Sequence, residues 1–161
     1  MIRLVKAKIK DAYQLLQIQH KCFLPLLEKY GDYENNPATM KLDRMVFKIK
    51  YQYGGYYKIL DGKTLVGGIF VYWHDDDETT FRLAQVYVLP EYSNRKIAQY
   101  AINEVESFYP KAKLWTLDTP ITEPKNCHLY EKMGYIRTEE YEVVNESLIL
   151  VTYEKRTLGR K

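Results

Sequence analysis

VYVLPEYSNRKIAQYAINEVESFYP, Val86 to Pro110, decides the fold. It reads as an apolar strand running into a polar turn and then into a helix, where Ile97, Ala98, Ala101, Ile102, Val105 and Phe108 recur at helical spacing. The turn carries Ser93 and Asn94, both good N-cap residues, followed by the cations Arg95 and Lys96. A helix N-terminus offers unpaired N–H groups and the positive end of the helix dipole, so an anion of the pyrophosphate kind suits this turn. An ordinary strand–turn–helix connection with a solvated basic turn is the competing reading of these residues taken alone.

Upstream, Ile2–Lys6 makes a short strand, and Asp11 opens a helix with Ala12, Leu15, Leu16, Cys22 and Phe23 on or near one face. From Pro25 to Met40 the periodicity breaks at Gly31 and Pro37, which predicts a loop bearing Glu28, Asp32 and Glu34 among the aromatics Tyr30 and Tyr33. Acids among aromatics suit a cationic amine, and a solvated acidic loop is the alternative. Thr39 to Lys50 then reads as a second helix capped by Thr39. Asp61-Gly62 marks a hairpin between Tyr56–Leu60 and Thr64–Trp73. The second of these strands is apolar throughout and so buried on both faces. Its Gly67 and Gly68 predict a bulge or a backbone at close range. His74 to Thr80 is a polar hairpin tip whose three aspartates read as a solvated turn in preference to a cation site.

Downstream, Lys113 to Thr119 alternates as a strand. Thr122 caps a short helix with Pro124 in its first turn and Gly134 at its end. Tyr135–Val144 and Ser147–Glu154 are two further strands, and the polar tail Thr157–Lys161 frays. The order is β α α β β β α β α β β. This predicts an α/β (α+β) fold whose mixed, mostly antiparallel sheet has one parallel neighbour pair beside the central helix.

With 161 residues the chain reads as a single domain, residues 1–161, that buries roughly two-thirds of its unfolded surface. The net charge of +3 is too small and too evenly spread to call for nucleic acid. No apolar run approaches the roughly 18 residues of a membrane span, and the N-terminus lacks a secretory pattern, so a cytoplasmic protein is expected. Cys22 and Cys127 have no CxxC spacing, and His20, His74 and His128 have no ligand spacing, so neither a disulfide nor a metal is expected. Cys127 and His128 are adjacent on a helix and point apart, which excludes a nucleophile–base pair. There are 16 tyrosines against 5 phenylalanines, an excess that suits a partly wet pocket, an interface or the rim of the core. Such surfaces and the strand edges allow a homodimer without requiring one.

Two segments carry a family resemblance. Val86-x-Val88-x-Pro90-Glu91-Tyr92 followed by Ser93-Asn94-Arg95-Lys96-Ile97-Ala98 resembles the acetyl-CoA loop of the GCN5-related N-acetyltransferase (GNAT) superfamily, Gln/Arg-x-x-Gly-x-Gly/Ala. Asn126-Cys127-His128-Leu129-Tyr130-Glu131-Lys132-Met133-Gly134-Tyr135 is similar to the same family's Asn-x-x-x-Tyr-x-x-x-Gly-Phe segment, and is the stronger match. The loop departs from the pattern: Ser93 stands for Gln or Arg and Lys96 for the first Gly, while Ala98 fits. The backbone donors survive both changes.

The resemblance implies the GNAT fold, in the small bacterial-type single-domain form: six to seven strands, about four helices, and a splayed strand pair that holds acetyl-CoA. Its pyrophosphate would lie on the amides of Ser93 to Ala98, and its pantetheine would pair with the backbone of Val86, Tyr87 and Val88. Asn126 would contact the pantetheine, and Tyr130 would act as general acid toward the leaving sulfur. Asp118 and Glu123, near the splay, are the candidates for base or amine contact, with a helix N-terminal acid as the plain alternative for Glu123. The Glu28, Tyr30, Asp32, Tyr33 and Glu34 connection would form a wall of the acceptor site. The implied activity is acetyl transfer to a small-molecule or peptide amine by direct attack in a ternary complex. A non-catalytic acyl-CoA-binding sensor or partner-binding module is the alternative.

Overall fold

The fold was obtained as a computed structural model, described for residues 1–74 and 76–157. One seven-stranded sheet runs in the order β1-β2-β3-β4-β5-β7-β6. Its strands are β1 (Ile2–Lys6), β2 (Gly54–Asp61), β3 (Thr64–His74), β4 (Asp77–Val88), β5 (Leu114–Pro120), β6 (Ile136–Val143) and β7 (Ile149–Arg156). Every neighbouring pair is antiparallel except β4 with β5. Four α-helices accompany it among the described residues: α1 (Ala12–Tyr30), α2 (Leu42–Lys50), α3 (Ile97–Ser107) and α4 (Pro124–Lys132). The element order is the one the sequence predicts. Asp75, in the expected hairpin tip, and the tail from residue 158 lie outside the described residues.

The sheet separates two cores. Leu15, Leu16, Met45 and Ile49 of α1 and α2 pack on Tyr56, Phe70 and Tyr87. Ile97, Ala101, Ile102 and Val105 of α3 pack on the opposite face with Ile69, Val71, Phe81, Leu83, Trp115 and Leu117. Strand β3 contributes to both, and it is buried from Leu65 through Val71 as its unbroken apolar run requires. Its glycines have the expected cause. A Cβ at Gly67 would fall on the carbonyl oxygen of Tyr87 and one at Gly68 on the Tyr87 ring, so only glycine lets β4 lie this close.

Four local expectations are corrected. The predicted Pro25–Met40 loop begins later, because α1 runs through Pro25 to Tyr30 and ends at Gly31 in the left-handed region, φ 65°. One lost N–H bond at Pro25 is outweighed by Leu27 and Tyr30, which keep the buried stripe going. Glu28 and Tyr30 are therefore helical. Thr39 does not cap α2. It closes a 3-10 turn, Pro37–Thr39, capped by Asn36, and Lys41 precedes the helix. Ser93 and Asn94 do not cap α3, because the helix starts only at Ile97, after Lys96. Thr122 does not cap α4, whose N-cap is Glu123, with Pro124 at the first position.

Candidate active site

The parallel pair β4–β5 holds together over three positions only: Thr80 with Leu114, Phe81 with Trp115 and Arg82 with Thr116. Just beyond, β4 carries a bulge. Phe70 faces Gln85 while Val71 faces Leu83, leaving Ala84 as the extra residue. A bulge bends its strand and increases the local twist, and from here β4 parts from β5. The N–H of Leu89 donates to Val66 O on β3 at 2.8 Å. Strand alternation then turns the amides of Val88 and Val86 the other way, into the opening. The Tyr87 side chain is buried in the α1–α2 core, where its hydroxyl meets that of Tyr56, so only its backbone borders the opening.

The strand leads into the loop whose φ values explain its shape. Asn94 (φ 65°) and Lys96 (φ 59°) are both left-handed. Among the described residues, no partner engages the amides from Asn94 to Gln99, and α3's ladder begins with the Tyr100 N–H donating to Lys96 O at 3.1 Å. These free amides open onto a groove of about 370 Å³ between the loop and α4. One wall is Val88, Tyr92, Ser93, Asn94, Lys96, Ile97, Ala98 and Gln99. The other is Lys125, Asn126, His128, Leu129 and Lys132. Lys125 Nζ donates to Asn94 Oδ1 at 3.1 Å, tying α4 to the loop. Unpaired amides at a helix start, flanked by Lys96, Lys125 and Lys132, are the donor set a pyrophosphate requires, so the residues fit a CoA-type ligand. Arg95 stacks over the Tyr92 ring at 5.1 Å and does not line this groove.

Tyr130 is not among the residues that line this groove. Its ring packs against Tyr135 and Tyr153, with centroids 6.2 and 6.4 Å away, and its hydroxyl bonds to none of the described residues. Burial, helped by Cys127, pushes its phenol up to about 12, so it keeps its proton at neutral pH. Asp118 is committed elsewhere: Oδ2 meets Arg82 at 2.5 Å and Oδ1 accepts from Thr152 at 2.7 Å. Glu123 Oε2 accepts from the Tyr30 hydroxyl at 2.5 Å and from Lys29 at 2.6 Å. Burial raises its carboxyl, but the Lys29 and Tyr30 bonds outweigh that and hold it below the usual value. Tyr30 also meets Thr122 at 2.5 Å, and its carbonyl accepts from Asn145 at 2.9 Å, which locks the end of α1 against the β5–α4 and β6–β7 connections.

Of the predicted acceptor wall, the structure thus brings Tyr30 to Glu123. Asp32 bonds within its own turn to Asn36 at 3.0 Å, while Glu28, Tyr33 and Glu34 are exposed. Sequence reasoning missed Tyr92, Gln99, Lys125, His128, Leu129 and Lys132. The last four follow from Lys125 at spacings of three, four and seven, a stripe that was available once Asn126 was placed on a helix. Among the described residues there is no cluster of three metal-ligating side chains, both cysteines are free, and no helix is long and apolar enough to cross a membrane.

Residues 12–135 match the model of the Acetyltransferase (GNAT) family, and the chain belongs to that family. No curated protein sequence matches it. Among solved structures it is similar to spermidine N-acetyltransferase from Vibrio cholerae in complex with CoA and spermine. There the TM-score is 0.77 and the identity 15%, covering 98% of this chain and 96% of that one. NAA60 from Arabidopsis thaliana in complex with a bisubstrate analogue has TM-score 0.77 and 15% identity, covering 99% and 100%. PaiA N-acetyltransferase from Thermoplasma acidophilum in complex with coenzyme A has TM-score 0.73 and 17% identity, covering 98% and 99%. At these identities the likeness is one of fold.

Proposed function

We propose that this chain is an acetyl-CoA-dependent N-acetyltransferase that transfers acetyl to a primary amine by direct attack in a ternary complex. The observation that carries the reading is the groove at the start of α3, where free amides and three lysines converge beside an open edge of β4. Acetyl-CoA supplies the activated thioester. The Ser93 N–H already donates to Pro90 O at 3.0 Å, so the free amides from Asn94 to Ala98 bind its pyrophosphate, and Asn126 with the outward amides of Val86 and Val88 orients the pantetheine and the thioester oxygen. Tyr130 holds a proton for the departing sulfur. Asp118 has both oxygens occupied, whereas Glu123 keeps Oε1 without a partner among the described residues, so Glu123 is the better placed to draw the amine's proton, directly or through water. The CoA and amine ligands of the structural neighbours support the class of reaction and leave the acceptor open.

One observation favours a second reading, an acyl-CoA sensor without turnover. Lys96 lines the groove at the position where the family pattern has glycine. Thermal shift with acetyl-CoA, with CoA and with ATP as a phosphate control tests the groove. A ligand at about 100 times its dissociation constant adds about 2.7 kcal/mol. Thiol release on a panel of amines then separates enzyme from sensor, and stabilisation by ATP equal to that by CoA would refute both.

A further inference from the structure

A second cavity lies on the other face of the sheet. It is a cleft of about 570 Å³ between α2 and the strands β3 and β4, lined by Arg44, Lys48, Phe70, Tyr72, Arg82 and Ala84 among others. Phe70, Tyr72 and Ala84 belong to the α1–α2 core, whereas Val88, Ile97 and Leu129 of the CoA-type groove belong to the α3 core. The two cavities therefore lie on opposite faces, and the cleft reaches the strand positions where β4 leaves β5. Arg82 is the last residue paired across that junction, and Ala84 is the bulge.

The charges in this cleft are not balanced. Three cations, Arg44, Lys48 and Arg82, stand against one carboxylate, since Asp118 pairs with Arg82 alone. Arg44 and Lys48 lie four residues apart on α2, where like charges repel, and neither reaches a carboxylate among the described residues. Each rests on an aromatic ring instead: Arg44 over Phe47 at 4.9 Å and Lys48 over Phe70 at 5.4 Å. Burial, aided by Arg44, brings the Lys48 ammonium down to about 8. A desolvated cation without a counter-ion is a cost that an anion entering the cleft would remove.

We propose that this cleft is the acceptor's subsite and that the acceptor is an amine that also carries a carboxylate or phosphate group. Arg44 and Lys48 hold the anion, and Phe70 and Tyr72 cover the body. The inference rests on the N-acetyltransferase reading for its reaction but not for its binding. It sets this chain apart from an enzyme for polycations, which Arg44 and Lys48 would repel.

Matched acceptors test it: phenethylamine against phenylalanine, and ethanolamine against phosphoethanolamine, each assayed by thiol release from acetyl-CoA. Calorimetric titration of phenylalanine and phosphoethanolamine into the CoA-bound protein gives a readout without turnover. The expected result is a kcat/KM at least about tenfold higher for an anionic member than for its neutral partner, the value of one charge-assisted hydrogen bond. Whichever pair shows it identifies the anion as carboxylate or phosphate. In Arg44→Met/Lys48→Met that ratio collapses and the calorimetric binding is lost, while a retained CoA thermal shift reports a folded protein. Neutral members that match or exceed their anionic partners would overturn the proposal, as would anionic ligands that bind the double variant as tightly as the wild type. If no amine is acetylated but an anionic member binds the wild type and not the variant, the subsite stands and the transferase reading falls.

Discussion

Lys48 makes a test of the charge imbalance that needs neither ligand nor turnover. Its ammonium stands at about 8 against an ordinary lysine value of 10.5, so the folded state disfavours the charged form. At about 1.36 kcal/mol per pKa unit the gap is worth about 3 kcal/mol at pH 7, where folded and unfolded chains both hold the proton and the whole penalty counts. Lys48 is only partly buried, which reduces that to about 2 kcal/mol, and the contact with the Phe70 ring returns about 0.5 kcal/mol. Lys48→Met keeps the stem's packing and removes the charge, so it should stabilise the protein at pH 7 by about 1 to 2 kcal/mol. As pH rises through 8 the folded lysine releases its proton while the unfolded one keeps it to near 10.5. The wild type therefore gains on the variant, and the difference shrinks toward zero by about pH 10. The charged groups facing Lys48 are Arg44 on α2 and Arg82 on β4, the latter neutralised by Asp118. Urea denaturation of both proteins at pH 7.0 and pH 9.5 measures the two differences. A variant no more stable at pH 7, or a difference that does not change with pH, would refute the claim that Lys48 is held charged at a cost.

Tyr130→Phe should lower kcat about 100-fold with the CoA thermal shift unchanged; a kcat preserved from pH 6 to 9 would remove the residue from the chemistry. Gly67→Ala places a methyl on the Tyr87 carbonyl and should cost about 3 kcal/mol in chemical denaturation. Gly62→Ala meets nothing within 4 Å at φ 60° and should cost only about 1 kcal/mol, so equal costs would contradict the close approach of β3 and β4. Lys96→Gly relieves about 1 kcal/mol of left-handed strain and gives most of it back as unfolded-chain entropy, leaving stability within about 0.5 kcal/mol. The same change should weaken CoA binding about fivefold, the loss of about 1 kcal/mol of charge-assisted contact, and tighter binding would mean that the side chain obstructs the groove.

What could be read from the chain follows from how local each cause is. The Asp61-Gly62 hairpin, the Gly67-Gly68 approach and the end of α4 at Gly134 depend on residues whose backbone freedom is written in their identity. The strand–loop–helix at residues 86–108 announces itself by a change of period. Helix starts were legible only as far as capping chemistry governs them. At α3 it does not, because Asn94 and Lys96 are held left-handed by the loop and the amides from residue 94 onward stay free. Pro25 misled because its local cost is real and only the burial of Leu27 and Tyr30, a tertiary fact, outweighs it.

The bulge at Ala84 is the least legible feature and the one on which the rest depends. No residue there demands it, since alanine fits a regular strand as well. It arises because β4 must serve two partners, following β3 closely to Val88 while staying with β5 only to Arg82. The extra residue absorbs the difference in twist and opens the sheet. Arg82 and Ala84 line the cleft beneath α2, while Val86 and Val88 turn their amides into the opening. Arg44 and Lys48, read along the sequence, are an unremarkable basic pair on a polar helix face. Only the sheet below them, with its aromatic rings and a single carboxylate already taken by Arg82, turns that pair into cations without a counter-ion.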